Sequence, residues 1–252
     1  MPTIDINCDM GESYGRWVLG HDEAVMRYIS SANVACGGHA GDPNVMEQTV
    51  LLAKEHGVAV GAHPGYQDLA GFGRRVLPMS VDELRRSITA QIGALYAIAR
   101  SVGVELHHVK AHGALYNLAC VSPPDAQAIA LAVRSFSQDL PLYCPPGSQM
   151  EAAANEAGID VVSEGFMDRL YEPSGLLVDR HVPGSVLNDP IEAAQQALLL
   201  ANGTVSARDG STIQLKAQTL CVHGDNPAIL ALLPAARAAL EEAGYVISSQ
   251  LS

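Results

Sequence analysis

Residues 109–117, with the sequence VKAHGALYN, combine a lysine and a histidine that could carry out acid–base or electrostatic chemistry. Because side chains alternate between the two faces of a strand, His108, Lys110 and His112 share one face of the strand predicted here, which ends at Gly113. Long segments with periodic apolar residues flank this strand and predict a central position, where charge is costly unless it is paired. The stretch indicates either a reaction centre or a solvated strand tip.

Several other predicted strands end in the same way, with ionisable residues beside a glycine or proline that breaks the strand. In parallel α/β folds, ligands bind beyond the carboxyl ends of the strands. Because most of the predicted strands share the pattern, we expect their polar ends to line one pocket. The polar and ionisable residues at these ends are Asn7, Asp9, Glu12, His39, His63, Lys110, His112, Glu164, His223 and Asp225.

The residue types in this set favour hydrolytic or group-transfer chemistry. Carboxylates and histidines can act as general acids and bases near neutral pH, and Lys110 can stabilise an oxyanion or bind a phosphate. Arginine is suited to bidentate capture of a carboxylate or phosphate, although a solvated loop charge is the alternative for each one. The arginines in predicted loops at the same end are Arg74, Arg75, Arg169 and Arg180.

The sequence contains neither a G-x-x-x-x-G-K-[ST] phosphate loop nor a G-x-G-x-x-G motif after the first strand. The segment 71–75 (GFGRR) could wrap an anion. A metal site is also open, because one carboxylate and two imidazoles, from Asp9, His39 and His63, suit zinc or another divalent ion. These three residues lack a compact motif such as H-E-x-x-H, and hydrogen-bonded catalytic or structural roles are the alternative.

The composition predicts one domain, residues 1–252, that acts without nucleic acid or a membrane. A net charge of -12 disfavours nucleic acid and anionic membrane surfaces, and 48% hydrophobic residues can build a sizeable core. The N-terminus lacks the features of a signal peptide, and no apolar run reaches the roughly 18 residues of a membrane span. Five cysteines without C-x-x-C spacing predict reduced, buried thiols, a role that fits Cys36 and Cys221 at strand ends. We expect a cytoplasmic protein.

Strand and helix patterns alternate along the whole chain, with no linker between them. This alternation predicts a parallel sheet covered by helices, either doubly wound or closed into a barrel. The patterns predict a helix over residues 21–31 and the central strand over 106–112. Local signals predict an N-cap at Asp42, a capping box from Ser80 to Glu83 and a hairpin turn at Asp209-Gly210.

Six ordered motifs resemble the LamB/YcsF family. They begin at residues 5, 35, 63, 71, 112 and 222 and read DINCDMGES, ACGGHAGDP, HPGY, GFGRR, HGALYN and VHGD. The resemblance extends from Ile4 to about Ala243. The chain departs from the family pattern at Gly38, Gln67, Ala111 and Leu170.

The resemblance implies an α/β fold, a seven-stranded (β/α) TIM-like barrel of the glycoside hydrolase and deacetylase type. It implies an ATP-dependent 5-oxoprolinase activity, in which the lactam of 5-oxo-L-proline is hydrolysed to L-glutamate and ATP is the co-substrate. It also implies that the chain works with partner subunits B and C.

Within such a reaction we assign roles from the residues themselves. Asp9 is the expected general base on water, Lys110 stabilises the oxyanion, and Glu12 is the competing base. His63 and His112 complete the expected catalytic set. The expected substrate-binding residues are Asn7, His39, Arg74, Arg75, Tyr116, Asn117, Glu164, Arg169, His223 and Asp225.

Two other classes of function remain open from the sequence. One is a metal-dependent N-deacetylase that uses Asp9, His39 and His63 on an N-acyl sugar. The other is a non-catalytic binding or regulatory subunit whose partners carry out the chemistry. The sequence leaves the oligomeric state open, including a homo-oligomer.

Overall fold

The computed structural model describes residues 1–249, and its centre is a closed sheet of parallel strands. The strands within this range are, in chain order, β1 Thr3–Met10, β2 Ser31–Ala35, β3 Ala59–His63, β4 Leu106–Val109, β5 Leu142–Cys144, β6 Val161–Phe166, β7 Thr204–Ser206, β8 Thr212–Gln214, β9 Thr219–Val222 and β10 Val246–Ile247. Strands β1 to β6 pair in order, and β9 pairs with both β6 and β1. This closes a seven-stranded barrel and confirms the predicted fold class.

Helices follow most of the barrel strands and cover the barrel from outside. They are α1 Asp22–Val25, α2 Pro43–His56, α3 Val81–Ser101, α4 Gly113–Ala119, α5 Pro123–Phe136, α6 Gln149–Ala157, α7 Pro190–Asn202 and α8 Ile229–Glu242. Helix α3 shows how they pack: Leu84, Ile88, Ile92 and Leu95 recur at helical spacing and are all buried. Within the described part of the chain, no helix combines the length and the apolar character that crossing a membrane requires.

Local capping signals set the ends of several helices as predicted. The Asp42 side chain accepts hydrogen bonds from the backbone N–H groups of Asn44 and Val45 at the start of α2. Ser80 and Glu83 form the reciprocal capping box at the start of α3. The predicted hairpin is also present, because β7 and β8 pair antiparallel around residues 207–211.

The inside of the barrel is polar near its amino-terminal end. Asp5 is fully buried there, and its carboxylate accepts hydrogen bonds from the hydroxyl groups of Ser30, Ser31, Tyr143 and Thr219. Burial raises the pKa of Asp5, and these hydroxyl donors oppose that rise. Hydrogen bonding of this kind offsets the cost of removing polar groups from water.

Some predicted boundaries were wrong. The helix predicted over residues 21–31 ends early, in a 3₁₀ turn at Met26–Tyr28, because Ser30 and Ser31 bond to Asp5 and Ser31 begins β2. The central strand ends at Val109 rather than at 112. Residue 113 begins α4, which the sequence patterns did not predict.

Gly61 on β3 provides a test of how rigid the polar interior is. A Cβ atom at Gly61 would lie 2.1 Å from Nε2 of His108. The His108 ring is fully buried, stacks on Tyr143 with centroids 4.0 Å apart, and bonds to Asn33. Because the ring cannot move away, we expect Gly61→Ala to lower the free energy of unfolding by about 2–3 kcal/mol, as overpacking does. Chemical denaturation measures this value.

The matched control is Gly93→Ala in α3, where a Cβ atom would meet no atom within 4 Å. Alanine favours a helix over glycine by about 1 kcal/mol, so this variant should be at least as stable as the wild-type protein. Equal stability of Gly61→Ala and the wild type would contradict a rigid interior.

Candidate active site

A cavity of about 450 Å³ opens at the carboxyl ends of the barrel strands. Ten of the predicted site residues line it, and they come from strands and loops far apart in the sequence. They are Asp9, His63, Arg74, Lys110, His112, Tyr116, Asn117, Glu164, Arg169 and His223. The long loop after β6 adds Arg180 and His181 to the wall.

Lys110 lies at the floor of this cavity and is almost completely buried. Its Nζ atom is 3.1 Å from Asp9 Oδ1, 2.9 Å from Glu164 Oε1, 3.1 Å from Asn7 Oδ1 and 2.9 Å from Cys221 Sγ. Burial alone lowers the pKa of a lysine, but the negative charge of Asp9 and the other acidic neighbours hold the pKa of Lys110 well above its usual value. Lys110 therefore stays protonated.

Asp9 is the partner of Lys110 and is also held in one ionisation state. Burial raises the pKa of its carboxyl, but His63 and then Lys110 outweigh burial and hold that pKa well below the usual value. Oxygen Oδ1 accepts hydrogen bonds from Lys110 and, at 2.9 Å, from Asn33. Oxygen Oδ2 lies 3.4 Å from His63 Nε2. Asp9 and Lys110 therefore form an ion pair at neutral pH.

Glu164 holds the other side of Lys110 and is fully buried. Its Oε1 atom accepts a 3.0 Å hydrogen bond from Asn7, and its Oε2 atom accepts a 2.6 Å bond from the Tyr116 hydroxyl. Burial, and after it the charge of Glu164, raises the pKa of Tyr116 well above the usual value, so this hydroxyl remains a donor. Both oxygens of Glu164 are thus committed to fixed partners.

Glu12, His39, His63 and His112 form a second cluster beside the Lys110 ion pair. Each offers one ligand atom, and the four atoms lie within 4.8 Å of one another, so the cluster could hold a metal ion. The metal set predicted from the sequence differs: it contained Asp9, which groups here with Cys221 and His223 instead. Glu12 and His39 are buried behind the cavity wall, whereas His63 and His112 form part of it.

His223 is oriented by a carboxylate to which sequence reasoning assigned no role. Its Nδ1 atom is 3.0 Å from both oxygens of the fully buried Asp168. Burial raises the pKa of Asp168, but the charge of His223 and the hydrogen bonds from it lower that pKa to about 2. With Nδ1 bonded to Asp168, Nε2 is the ring nitrogen left for a ligand. The only indication of this role in the sequence is the position of Asp168, which lies two residues after the end of β6 and next to Arg169.

The structure separates the two arginines of the segment 71–75. Arg74 lines the cavity and pairs with Asp225, which also pairs with Arg180 at 3.1 Å. Arg75 does not line the cavity; its side chain is 63% exposed and pairs with Asp68. Arg75, which was predicted to bind substrate, is therefore not part of the cavity wall, because it pairs with Asp68 at the surface.

Two further predicted residues, Asn7 and Asp225, contact residues that line the cavity without lining it themselves. The Asn7 side chain bonds to Glu164 and Thr219 inside the barrel. Asp225 joins Arg74 and Arg180 at the rim without being part of the lining. Asn7 and Asp225 therefore position Glu164, Arg74 and Arg180, which line the cavity.

The closed α/β barrel is shared with solved structures of low sequence identity. A family 4 carbohydrate esterase from Streptomyces lividans, in complex with acetate, has this fold, with a TM-score of 0.50 and 12% identity over 100% of this chain and 93% of that one. At this level of identity the likeness concerns the fold alone.

The family is defined by closer matches. The LamB/YcsF family model matches residues 4–251, and the chain belongs to this family. The A subunit of 5-oxoprolinase from Symbiobacterium thermophilum is 52% identical over 247 residues, which are 98% of this chain and 95% of that protein. The crystal structure of the lactam utilization protein from Thermus thermophilus superposes with a TM-score of 0.92 at 48% identity, covering 98% of this chain and 99% of that one.

The contact between Asp168 and His223 predicts a pH-dependent contribution to stability. A carboxyl with a lowered pKa stabilises the folded state above its ordinary pKa of 3.8, and this contribution is lost as the pH falls through about 2. We expect Asp168→Asn to lower the free energy of unfolding by about 2 kcal/mol at pH 7. The difference from the wild-type protein should shrink below pH 4.

Urea denaturation at pH 7, 4 and 3 measures both effects. Asp82→Asn is a suitable control, because Asp82 is exposed at the surface of α3. If Asp168→Asn and Asp82→Asn were equally stable at pH 7, the buried contact would contribute nothing.

Proposed function

We propose that this chain is the component of an ATP-dependent 5-oxoprolinase that binds 5-oxo-L-proline and opens its lactam ring to give L-glutamate. The observation that carries the proposal is the buried Lys110–Asp9 ion pair at the floor of a small cavity whose wall includes arginines. The relatives named as the A subunit of 5-oxoprolinase support this substrate. The lactam utilization protein supports the same class of reaction.

The chemistry of a lactam explains why ATP is needed. An amide carbonyl is a poor electrophile, and an unstrained five-membered lactam closes again easily. Transfer of the γ-phosphoryl group to the carbonyl oxygen releases ADP and activates the carbon. Water adds to that carbon and the ring C–N bond breaks, with the proton going to nitrogen. A second water releases phosphate from the acyl phosphate and leaves glutamate.

The cavity supplies charges of the right sign for this substrate. The carboxylate of 5-oxoproline can pair with Arg74 or Arg180 at the rim, both of which are already placed to hold the carboxylate of Asp225. The protonated Lys110 can then face the lactam oxygen, where negative charge develops. Tyr116, Asn117 and Arg169 complete the wall.

Asp9 is the general base in this scheme. Two carboxylates line the cavity next to Lys110. Both oxygens of Glu164 accept short hydrogen bonds, from Asn7 and Tyr116. The Oδ2 atom of Asp9 has only a longer contact, 3.4 Å from His63 Nε2. Glu12, the competing base, does not line the cavity, and its Oε1 atom lies 3.1 Å from His39 Nε2. The contacts therefore rank Asp9 before Glu12.

ATP and the partners complete the assignment. Because the chain has no known phosphate-loop motif, we assign the activity to a complex with subunits B and C, in which ATP is the co-substrate. The free, buried cysteines fit a reducing compartment, and we place the complex in the cytoplasm. We treat residues 1–252 as one barrel domain within it.

Reconstitution tests the function directly. We expect the purified chain alone to hydrolyse no measurable 5-oxoproline, and the chain with subunits B and C to form glutamate and ADP only when ATP is present. Glutamate and ADP are quantified in the same reactions. Full turnover by the partners without this chain would make it a dispensable or regulatory component, and ATP-independent turnover would also overturn the proposal.

The roles of Asp9 and Lys110 are tested in the reconstituted complex. Asp9→Asn keeps the shape of the side chain and removes its basicity, so the turnover rate should fall by about 100-fold or more. Lys110→Met should act similarly through lost charge stabilisation. Asp82→Asn is the control for a surface carboxylate, and thermal melting checks folding. Wild-type turnover in folded Asp9→Asn would transfer the role of base to Glu12 or a histidine.

A metal-dependent N-deacetylase is the second candidate, and the cluster of Glu12, His39, His63 and His112 favours it. Such an enzyme would release acetate from an N-acetylated sugar without ATP or partners. An acetate assay on the purified chain distinguishes the two candidates.

A further inference from the structure

The roles of Asp9 and Lys110 leave the neighbouring histidine cluster unexplained. His63 and His112 meet at the cavity wall, where His63 Nε2 and His112 Nδ1 are 3.0 Å apart. The other nitrogen of each ring faces a backbone carbonyl: His63 Nδ1 lies 2.8 Å from the oxygen of Lys110, and His112 Nε2 lies 2.9 Å from the oxygen of Phe72.

These contacts assign the tautomers. A carbonyl oxygen only accepts hydrogen bonds, so His63 Nδ1 and His112 Nε2 each carry the proton of a neutral imidazole. The two nitrogens that face each other then both present lone pairs. Two lone pairs 3.0 Å apart repel, and the arrangement requires a cation between or beside them. That cation is either an additional proton or a metal ion.

The surrounding charges favour a metal ion over a proton. Glu12 Oε1 lies 3.5 Å from His112 Nδ1, and Asp9 Oδ2 lies 3.4 Å from His63 Nε2. A shared proton joins only the two ring nitrogens, whereas a metal ion also binds the carboxylate oxygen of Glu12. A divalent ion also brings two positive charges to this acidic surrounding.

The spacing of the donor atoms fits one ion. With metal–ligand bonds of about 2.0–2.1 Å, donor atoms in a tetrahedral site are about 3.4 Å apart. The separations are 3.0 Å from His63 Nε2 to His112 Nδ1 and 3.5 Å from His112 Nδ1 to Glu12 Oε1, and the third pair, His63 and Glu12, lies within 4.8 Å. Histidines that bind metal ions also donate their second N–H to a carbonyl or carboxylate, as both rings do here.

His39 has a different place in the cluster. Its ring is parallel to that of His112, with centroids 3.5 Å apart, so their nitrogens lie side by side rather than converging on one point. His39 Nε2 lies 3.1 Å from Glu12 Oε1, and Nδ1 is buried without a hydrogen-bond partner among residues 1–249. His39 therefore acts as a positioning residue that donates from Nε2 to the Glu12 carboxylate.

We propose that Glu12, His63 and His112 bind one divalent metal ion of the imidazole-preferring class, of which zinc is the leading candidate, with a remaining coordination position open to the cavity. Three protein ligands with one open position are typical of zinc sites that bind a reactant. The proposal rests on contacts within the chain and goes beyond the 5-oxoprolinase assignment, so either can fail without the other.

Direct metal binding tests the proposal without any activity measurement. The purified full-length chain is stripped with a chelator and titrated with Zn²⁺ by calorimetry, and metal content after dialysis is measured by mass spectrometry. We expect one equivalent bound by the wild-type protein. Glu12→Gln and His112→Gln should bind at least 100-fold more weakly, and His39→Gln should keep the site with about 10–100-fold lower affinity.

His56→Gln is the matched control, because His56 is an exposed histidine at the end of α2 and should bind like the wild-type protein. Thermal melting in chelator verifies the fold of each variant. If a variant does not fold, X-ray absorption of the zinc-loaded wild-type protein replaces it, and two imidazole ligands are expected there. Absence of stoichiometric binding by the wild type, or equal binding by wild type and folded His112→Gln, would overturn the proposal and leave a shared proton as the cation.

Discussion

The neutralisation of Lys110 inside the barrel is the constraint on which the site depends. A lysine with almost none of its surface exposed is stable only where negative charge and hydrogen-bond acceptors surround it. Asp9 and Glu164 supply the charge, and Asn7 and Cys221 supply further contacts to its ammonium group. These four residues come from β1, β6 and β9, so the ion pair forms only when the barrel closes.

The barrel interior changes in character along its axis. At the amino-terminal end, hydroxyl groups satisfy Asp5, whose pKa burial raises. In the middle, Asn33 donates to both Asn7 and Asp9 and bonds to His108. At the carboxyl end, charged groups meet the cavity. Each layer thus supplies hydrogen-bond partners to the next, and a change in the middle layer disturbs the charges above it.

Asp9 of the ion pair also contacts His63, one of the ligands of the proposed metal site. Its Oδ1 atom bonds to Lys110 while its Oδ2 atom faces His63, so the carboxylate lies between two positive centres if the histidine cluster holds an ion. Both centres keep Asp9 ionised, because each favours its negative form. The same carboxylate therefore couples the chemistry at the cavity floor to the occupancy of the cluster beside it.

The sequence by itself determined the helix caps and the hairpin, because these depend on residues that are neighbours in the chain. The N-cap at Asp42, the capping box at Ser80 and the hairpin near Asp209 follow from hydrogen bonds within a few residues, and all three are present. Alternation of polar and apolar residues also identified which face of β1 carries Asp9. These features require no knowledge of distant segments, since the residues that make each contact adjoin in the chain.

Tertiary structure decided which distant groups meet. Periodicity left a doubly wound sheet and a barrel equally open, because closure depends on the pairing of β9 with β1. Periodicity also did not distinguish Arg74 from Arg75. Their side chains point in different directions because Arg74 pairs with Asp225 and Arg75 pairs with Asp68. The contact of Glu12 with His112 likewise joins loops a hundred residues apart. The sequence pattern predicts which residues are buried and how the local backbone folds. The contacts between distant residues depend instead on the packing of the whole barrel.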